Sequence, residues 1–302
     1  MSAAVLLAAL ALDRLAGEPP SRLHPTAWMG SVAEWLSKRL PGSLGGGVML
    51  LGGVVLGFSS AAYLLLMIAP APVKPVLSAV ILKLALSWRT LGEIAVRIAG
   101  VVERGRIEEA RAALPALVGR DTSSLSEELV CSACIESVAE NSVDSVASPV
   151  FYFALLAAAG GVELGVAAAV AYRCVNTLDA MVGYPRFGSY GTPAAVADDA
   201  LNFLPARVLV PCMLLAAALV RGCSAGDALR WLRFRGLLKS PNAGVSISLA
   251  AGALGVWLQK PGVYRIPGER APGAEDVRRA VRLVDAGLAV FAAGALLLLV
   301  VV

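Results

Sequence analysis

The sequence predicts an all-α, polytopic helical membrane protein with broken or re-entrant helices and an amphipathic helical lobe. Three observations carry this reading. Hydrophobic residues make up 58% of the 302 residues and charged residues only 16%, against about 25% charged in an ordinary soluble domain. The mean hydropathy is +0.74. The apolar residues are also gathered into long runs. Residues 44–69, LGGGVMLLGGVVLGFSSAAYLLLMIA, carry no charge at all, and a helix needs about 20 such residues to cross the hydrocarbon core. Residues 286–302 are a second uncharged run, entered from the basic stretch AEDVRRAVRLVD. The lipid bilayer is therefore the first expected partner, and a multi-pass position in the cell membrane follows.

The opening AAVLLAALAL has no basic n-region and no small-residue cleavage site, so it reads as a short first membrane segment and not as a cleaved signal peptide. Residues 13–43 form a polar connection containing GEPP and HPTAWMG. Residues 72–130 are helical and amphipathic, with Arg89, Arg97, Arg104, Arg106, Arg111 and Arg120 interleaved with apolar positions at helical spacing. They are expected to form a lobe on the membrane surface within a single domain, 1–302, because no repeat or low-complexity linker divides the chain. Ser124 and Glu127 fit a capping box, opening a helix expected to run to about residue 146, where Pro149 stops it. In FYFALLAAAGGVELGVAAAVAYRCV, Gly160 and Gly161 separate two arms of about ten residues, each too short to span. A re-entrant hairpin over residues 150–172 is the expected solution, tolerated where protein surrounds it. Shorter apolar stretches follow at 208–220 and 243–258.

The charge balance excludes several classes. The net charge of +4 is spread over basic clusters at 97–120, 221–239 and 260–282, each beside an apolar run, as interfacial anchors are. No basic stripe carries interleaved aromatics, so nucleic acid is not an expected partner. Five cysteines without paired spacing do not make a disulfide framework. Cys131 and Cys134 form a lone CxxC with no second pair or nearby histidine to complete a zinc site. There is no GxxxxGK[ST] loop and no GxSxG elbow. His24 is the only histidine, and its place before a proline suits a structural donor.

The polar residues concentrate in four clusters. In RDTSSLSEELVCSACIESVAENSVDSVASP, Glu136, Glu140 and Asp144 are spaced i, i+4, i+8 and fall within an arc of about 80° on a helix, with Asn141 about 100° further round. Stacked like charges destabilise a helix, so either a solvated face or a cation must accommodate them. In YRCVNTLDAMVGY, Arg173, Asn176 and Asp179 share a helix face, and Gly183 ends the helix. DDALNFLPARV places Asp198, Asp199 and Asn202 within about one turn, with Arg207 following. KSPNAG, with Asn242, opens the last cluster. Ionisable groups at membrane segments point to function. Oxygen ligands with almost no histidine favour magnesium. The four clusters are expected to meet in one polar pocket, where they would share a cation, arginines and phosphates.

In this order the motifs resemble the CobD/CbiB family, adenosylcobinamide-phosphate synthase. The resemblance runs from DRLAGEPPSRLHPTAWMG through GRDTSSLSEE, ESVAENSVDSVASPVFY, YRCVNTLDAMVGY and DDALNFLPARV to SPNAG and AGALGV. It implies formation of an amide between a propionate of adenosylcobyric acid and the amine of aminopropanol or its O-phosphate. It also implies ATP and Mg2+, and an association with other corrinoid-assembly membrane enzymes. Carried over residue by residue, it implies catalytic roles for Glu136, Glu140, Asn141, Asp179, Asp199 and Arg207. Substrate or phosphate contacts fall to His24, Arg120, Asp121, Arg173, Asn176, Asn202 and Asn242. Glu136, Glu140, Asp144 and Asp198 are the implied metal ligands. The chain departs from the family pattern before Asp198, where the usual arginine is missing, and after SPNAG, where VSIS replaces Trp-Pro-Glu. A transporter with acidic intramembrane residues and a non-catalytic membrane sensor are the alternatives. Against the first, no inverted repeat is visible and the motifs cluster at segment ends.

Overall fold

A computed structural model describes residues 1–20, 22 and 24–302; residues 21 and 23, inside the expected N-terminal His-Pro segment, lie outside the described residues. The elements in chain order are α1 (Ser2–Ala16), α2 (Pro25–Ser37), α3 (Leu44–Ile68), α4 (Lys74–Leu84), α5 (Trp88–Glu103), α6 (Ile107–Ala113), α7 (Glu127–Ser142), a π-helical stretch (Val143–Ala147), α8 (Ser148–Gly160), α9 (Val162–Val182), α10 (Thr192–Leu219), α11 (Ala225–Trp231), α12 (Ala243–Leu254), β1 (Leu258–Lys260), β2 (Tyr264–Ile266) and α13 (Ala274–Val301). Among the described residues four helical runs are long and apolar enough to cross a membrane: Leu44–Ile68, Glu127–Gly160, Thr192–Leu219 and Ala274–Val301. The architecture is that of an all-α polytopic membrane protein.

The chain divides into two compact units, and the stretch 72–130 is shared between them. The first unit comprises Met1–Ser87, Asp144–Asn202 and Ala293–Val302. In it α9 packs against α8, α3, α2 and α4, and α1 lies on α4. The second comprises Trp88–Val143 and Phe203–Ala292. There α12 packs on α7 and α11, α5 lies on α7, and β1 runs beside α7. β1 and β2 form an antiparallel hairpin with Leu258 opposite Ile266.

Three local expectations are corrected. Ser126, not Ser124, caps α7, its hydroxyl accepting from Leu129 N. Pro149 does not stop the helix. The π-helical stretch just before it widens the turn, and the carbonyl of Ser145, four residues before the proline, accepts instead from Ser87 N at 3.1 Å. The chain does break at Gly160-Gly161, where Gly161 has φ 91°, a conformation that favours glycine. The arms, however, are longer than about ten residues. α8 continues back through the π stretch into α7 as a 34-residue helical run, and α9 has 21 residues.

The α8–α9 contact depends on Gly165. A Cβ there would press on Ala157 and on the Phe153 carbonyl at 2.7 Å, and overpacking of this kind costs about 1–3 kcal/mol. Gly165→Leu is therefore expected to lower the free energy of unfolding in detergent by about that amount. Gly57→Leu on the outer face of α3, where nothing lies within 4 Å, is expected to shift it by less than about 1 kcal/mol.

Candidate functional site

The polar motifs of the first unit assemble into a buried hydrogen-bond network. Asp198 accepts from Asn176 Nδ2 at Oδ1, 3.2 Å, and from Asn202 Nδ2 at Oδ2, 2.9 Å. Asn202 Oδ1 accepts from the Ser148 hydroxyl at 2.5 Å and the Tyr172 hydroxyl at 2.8 Å. Arg173 Nη1 donates to Asn176 Oδ1 at 3.1 Å. Asn202 is 1% exposed and Asp198 9%. The acceptor-only carboxylate is thus met by carboxamide donors, as a buried charge requires. Tyr152, whose hydroxyl donates to the Leu201 carbonyl, stacks on Tyr172 with ring centroids 5.8 Å apart. One turn beyond Asn176, burial, with Asp198 and Asp199 adding to it, pushes the Asp179 carboxyl up to about 6.

His24 belongs to a different neighbourhood of the same unit. Its Nε2 lies 2.7 Å from Glu18 Oε2, and its Nδ1 accepts from the Thr26 hydroxyl at 2.6 Å and from Thr26 N, capping α2. Lys83 Nζ donates to the same Glu18 oxygen at 3.1 Å. Burial raises the Glu18 carboxyl, but the His24 hydrogen bond and the Lys83 charge together hold it below the usual range. Both ring nitrogens of His24 therefore have partners within the chain.

In the second unit the focus is Glu136, 5% exposed. Its Oε1 accepts from Ser132 Oγ at 2.6 Å, and its Oε2 accepts from the Tyr264 hydroxyl at 2.7 Å, with Arg120 Nη1 at 3.4 Å. Asn141 turns back on its own helix, donating to the Ser137 carbonyl at 2.9 Å. Glu140 is exposed, and exposed Asp121 accepts from Ser123 N at 3.0 Å. Arg207 donates to Asn242 Oδ1 at 2.6 Å and to the Pro241 carbonyl at 3.2 Å, and its guanidinium lies 3.6 Å over the Phe203 ring.

The carboxylate cage expected from the 136–140–144 spacing is not built. No group of three His, Cys, Asp or Glu side chains among the described residues is placed to hold a metal ion. The oxygens of Glu136 are taken by Ser132 and Tyr264, those of Asp198 by the two carboxamides, and Asp144 sits on the π-helical stretch. The expected residues also divide between the units: Asp144, Arg173, Asn176, Asp179, Asp198, Asp199 and Asn202 in the first, and Arg120, Asp121, Glu136, Glu140, Asn141, Arg207 and Asn242 in the second. Sequence reasoning missed Ser148, Tyr172, Ser132 and Tyr264. Ser148 and Tyr172 stand inside the family-like motifs. Tyr264 is 128 residues from Glu136 and carried no local signal.

Fold and site together define a polytopic all-α membrane protein with polar networks buried in each of its two units. Residues 6–284 match the model of the CobD/Cbib protein family, and the chain belongs to that family. It is 40% identical over 302 residues to the probable cobalamin biosynthesis protein CobD of Methanothermobacter thermautotrophicus, with 98% of each chain covered. It is 39% identical to the probable cobalamin biosynthesis protein CobD of Thermococcus kodakarensis, covering 92% of this chain and 89% of the relative. The cobalamin biosynthesis protein CobD of Dehalococcoides mccartyi is 36% identical, with 89% and 87% covered. No solved structure matches.

Removing one hydroxyl and removing the hub should differ. Tyr172→Phe is expected to cost about 1 kcal/mol, one ordinary hydrogen bond, and Asn202→Leu about 3 kcal/mol or more, because Ser148, Tyr172 and Asp198 all lose a partner. Unfolding in detergent measures both, and equal costs would show that the network is not coupled.

Proposed function

We propose that this protein is the enzyme of cobalamin biosynthesis that joins a propionate carboxylate of adenosylcobyric acid to the amine of aminopropanol or aminopropanol phosphate. One observation supports this most. The three motifs that resemble the family most specifically, ESVAENSVDSVASPVFY, YRCVNTLDAMVGY and DDALNFLPARV, supply Ser148, Tyr172, Asn176, Asp198 and Asn202, and these side chains bond to one another. A scaffold of this polarity inside an apolar protein suits a site that must fix a charged substrate.

Amide formation from a carboxylate is uphill in water, and ATP with Mg2+ would supply the activation. Mg2+ keeps several of its waters and binds through substrate phosphates with one or two carboxylates, so the absence of a three-carboxylate cage among the described residues fits a cation that arrives with its nucleotide. The chain's part is to position and to neutralise. Arg173 is held by Asn176, and its Nε is buried without an acceptor among the described residues, which suits it to a substrate oxygen. The acceptor amine arrives as an ammonium and must lose a proton before its nitrogen attacks the carbonyl carbon of the acyl phosphate that ATP would form with release of ADP; as the C–N bond forms, the C–O bond to phosphorus breaks and inorganic phosphate leaves. Asp179, with its carboxyl raised to about 6, takes that proton.

The test is turnover by purified protein supplied with adenosylcobyric acid, ATP, Mg2+ and each acceptor, with the corrinoid amide as the expected product. Below about pH 6 Asp179 is protonated and cannot act as a base, so kcat should rise with pH through about 6. Asp179→Asn should lower kcat by about a hundredfold or more and abolish that limb. No product from either acceptor would refute the function. A variant that keeps both rate and limb would refute the role of Asp179.

A further inference from the structure

Arg120 presents an unanswered edge. Its Nη1 faces Glu136 Oε2 at 3.4 Å, whereas Nε and Nη2 are both buried and no acceptor among the described residues reaches either. These two atoms share one edge of the planar guanidinium. Their N–H bonds run side by side as a fork that matches two oxygens of a phosphate or carboxylate. Buried charged donors without acceptors are few in folded proteins and ask for an explanation. The Arg120 side chain keeps 15% of its surface open, but Nε and Nη2 themselves are closed to solvent, so an oxyanion reaches them as neighbouring side chains move aside.

Glu136 does not fill the fork because it is held elsewhere. Ser132 occupies Oε1 and the Tyr264 hydroxyl occupies Oε2. Tyr264 stands on the β1–β2 hairpin, opposite Lys260. The hairpin is anchored by the fully buried Leu258 and Ile266 and by Gln259 N, which donates to Ser132 Oγ at 2.8 Å. It therefore grips the turn of α7 that carries Glu136. Burial, followed by the charge and hydrogen bond of Glu136 and the charge of Glu140, pushes the Tyr264 hydroxyl far up, so it stays a donor at neutral pH.

We propose that the Nε–Nη2 edge of Arg120 is a binding site for a phosphate-type oxyanion, and that Tyr264 is the positioning residue that sets it by holding Glu136 against Nη1 alone. The proposal rests on the proposed function only for the natural ligand, a phosphorylated substrate of the amide-forming reaction. Its affinity for an oxyanion is a property of these side chains.

The experiment titrates inorganic phosphate into the full chain in detergent at neutral pH, reading affinity by calorimetry and by the rise in melting temperature that a ligand specific for the native state produces. Wild type should bind saturably. Arg120→Lys, which keeps the charge and loses the fork, and Tyr264→Phe, which keeps the ring and loses the hydroxyl, should each weaken binding by about tenfold or more. Absence of saturable binding in wild type, or unchanged affinity in Arg120→Lys, overturns the site. Unchanged affinity in Tyr264→Phe overturns the positioning role, and if that variant does not fold, Ser132→Ala tests the same clamp on Glu136. Phosphate affinity that follows Arg120 in a protein without amide-forming activity keeps the site and refutes the proposed function. Activity with affinity unmoved by either variant does the reverse.

Discussion

Asp198 is a carboxylate on a helix apolar enough to cross a membrane, and much of the first unit is arranged around answering it. A buried acceptor with two oxygens needs donors that water cannot supply. Asn176 and Asn202 provide one each, and each carboxamide then has a carbonyl oxygen of its own to satisfy. Arg173 answers the first and Ser148 with Tyr172 the second. The need propagates outward through α10, α9 and the start of α8, so satisfying one charge fixes where three helices stand. Small residues let the backbones come close enough for these bonds to form, as Gly165 does against Phe153 and Ala157.

The second unit meets the same constraint with different means. Glu136 is buried on α7 and is answered by an arginine, a serine and a tyrosine from a hairpin far along the chain. Two three-residue strands hold Tyr264 and the Gln259 amide at α7. Arg207 shows a third solution. Its guanidinium lies over an aromatic face while its donors tie down the loop at Asn242.

How much of this the sequence disclosed follows from the range of each interaction. Residues 44–69 and the C-terminal run are local signals of length and polarity, and α3 and α13 stand there. Gly160-Gly161 marks a break because a residue with φ 91° favours glycine locally. Arg173 with Asn176, and Asp198 with Asn202, were legible because one helix turn separates them. Pro149 misled because a π-helical turn beside it is a tertiary accommodation. The 136–140–144 stripe suggested a cation because the partner of Glu136, Tyr264, lies 128 residues away, and three-residue strands carry too little pattern to announce themselves. His24 read as a structural donor from its place before a proline and as a substrate contact by resemblance; its two nitrogens serve Glu18 and Thr26.

The central claim is that the Asn176–Asp198–Asn202 network serves the chemistry as well as the packing. Asp198→Asn tests it most directly, because the side chain keeps its shape and loses the charge. Corrinoid amide formation should be measured on variant protein shown by circular dichroism and size-exclusion chromatography to be folded and monodisperse. The account predicts a folded protein whose turnover falls by two orders of magnitude or more, in the range of about 2.7–4 kcal/mol known for removing one electrostatic group from an active site. Wild-type turnover from that folded variant would contradict it.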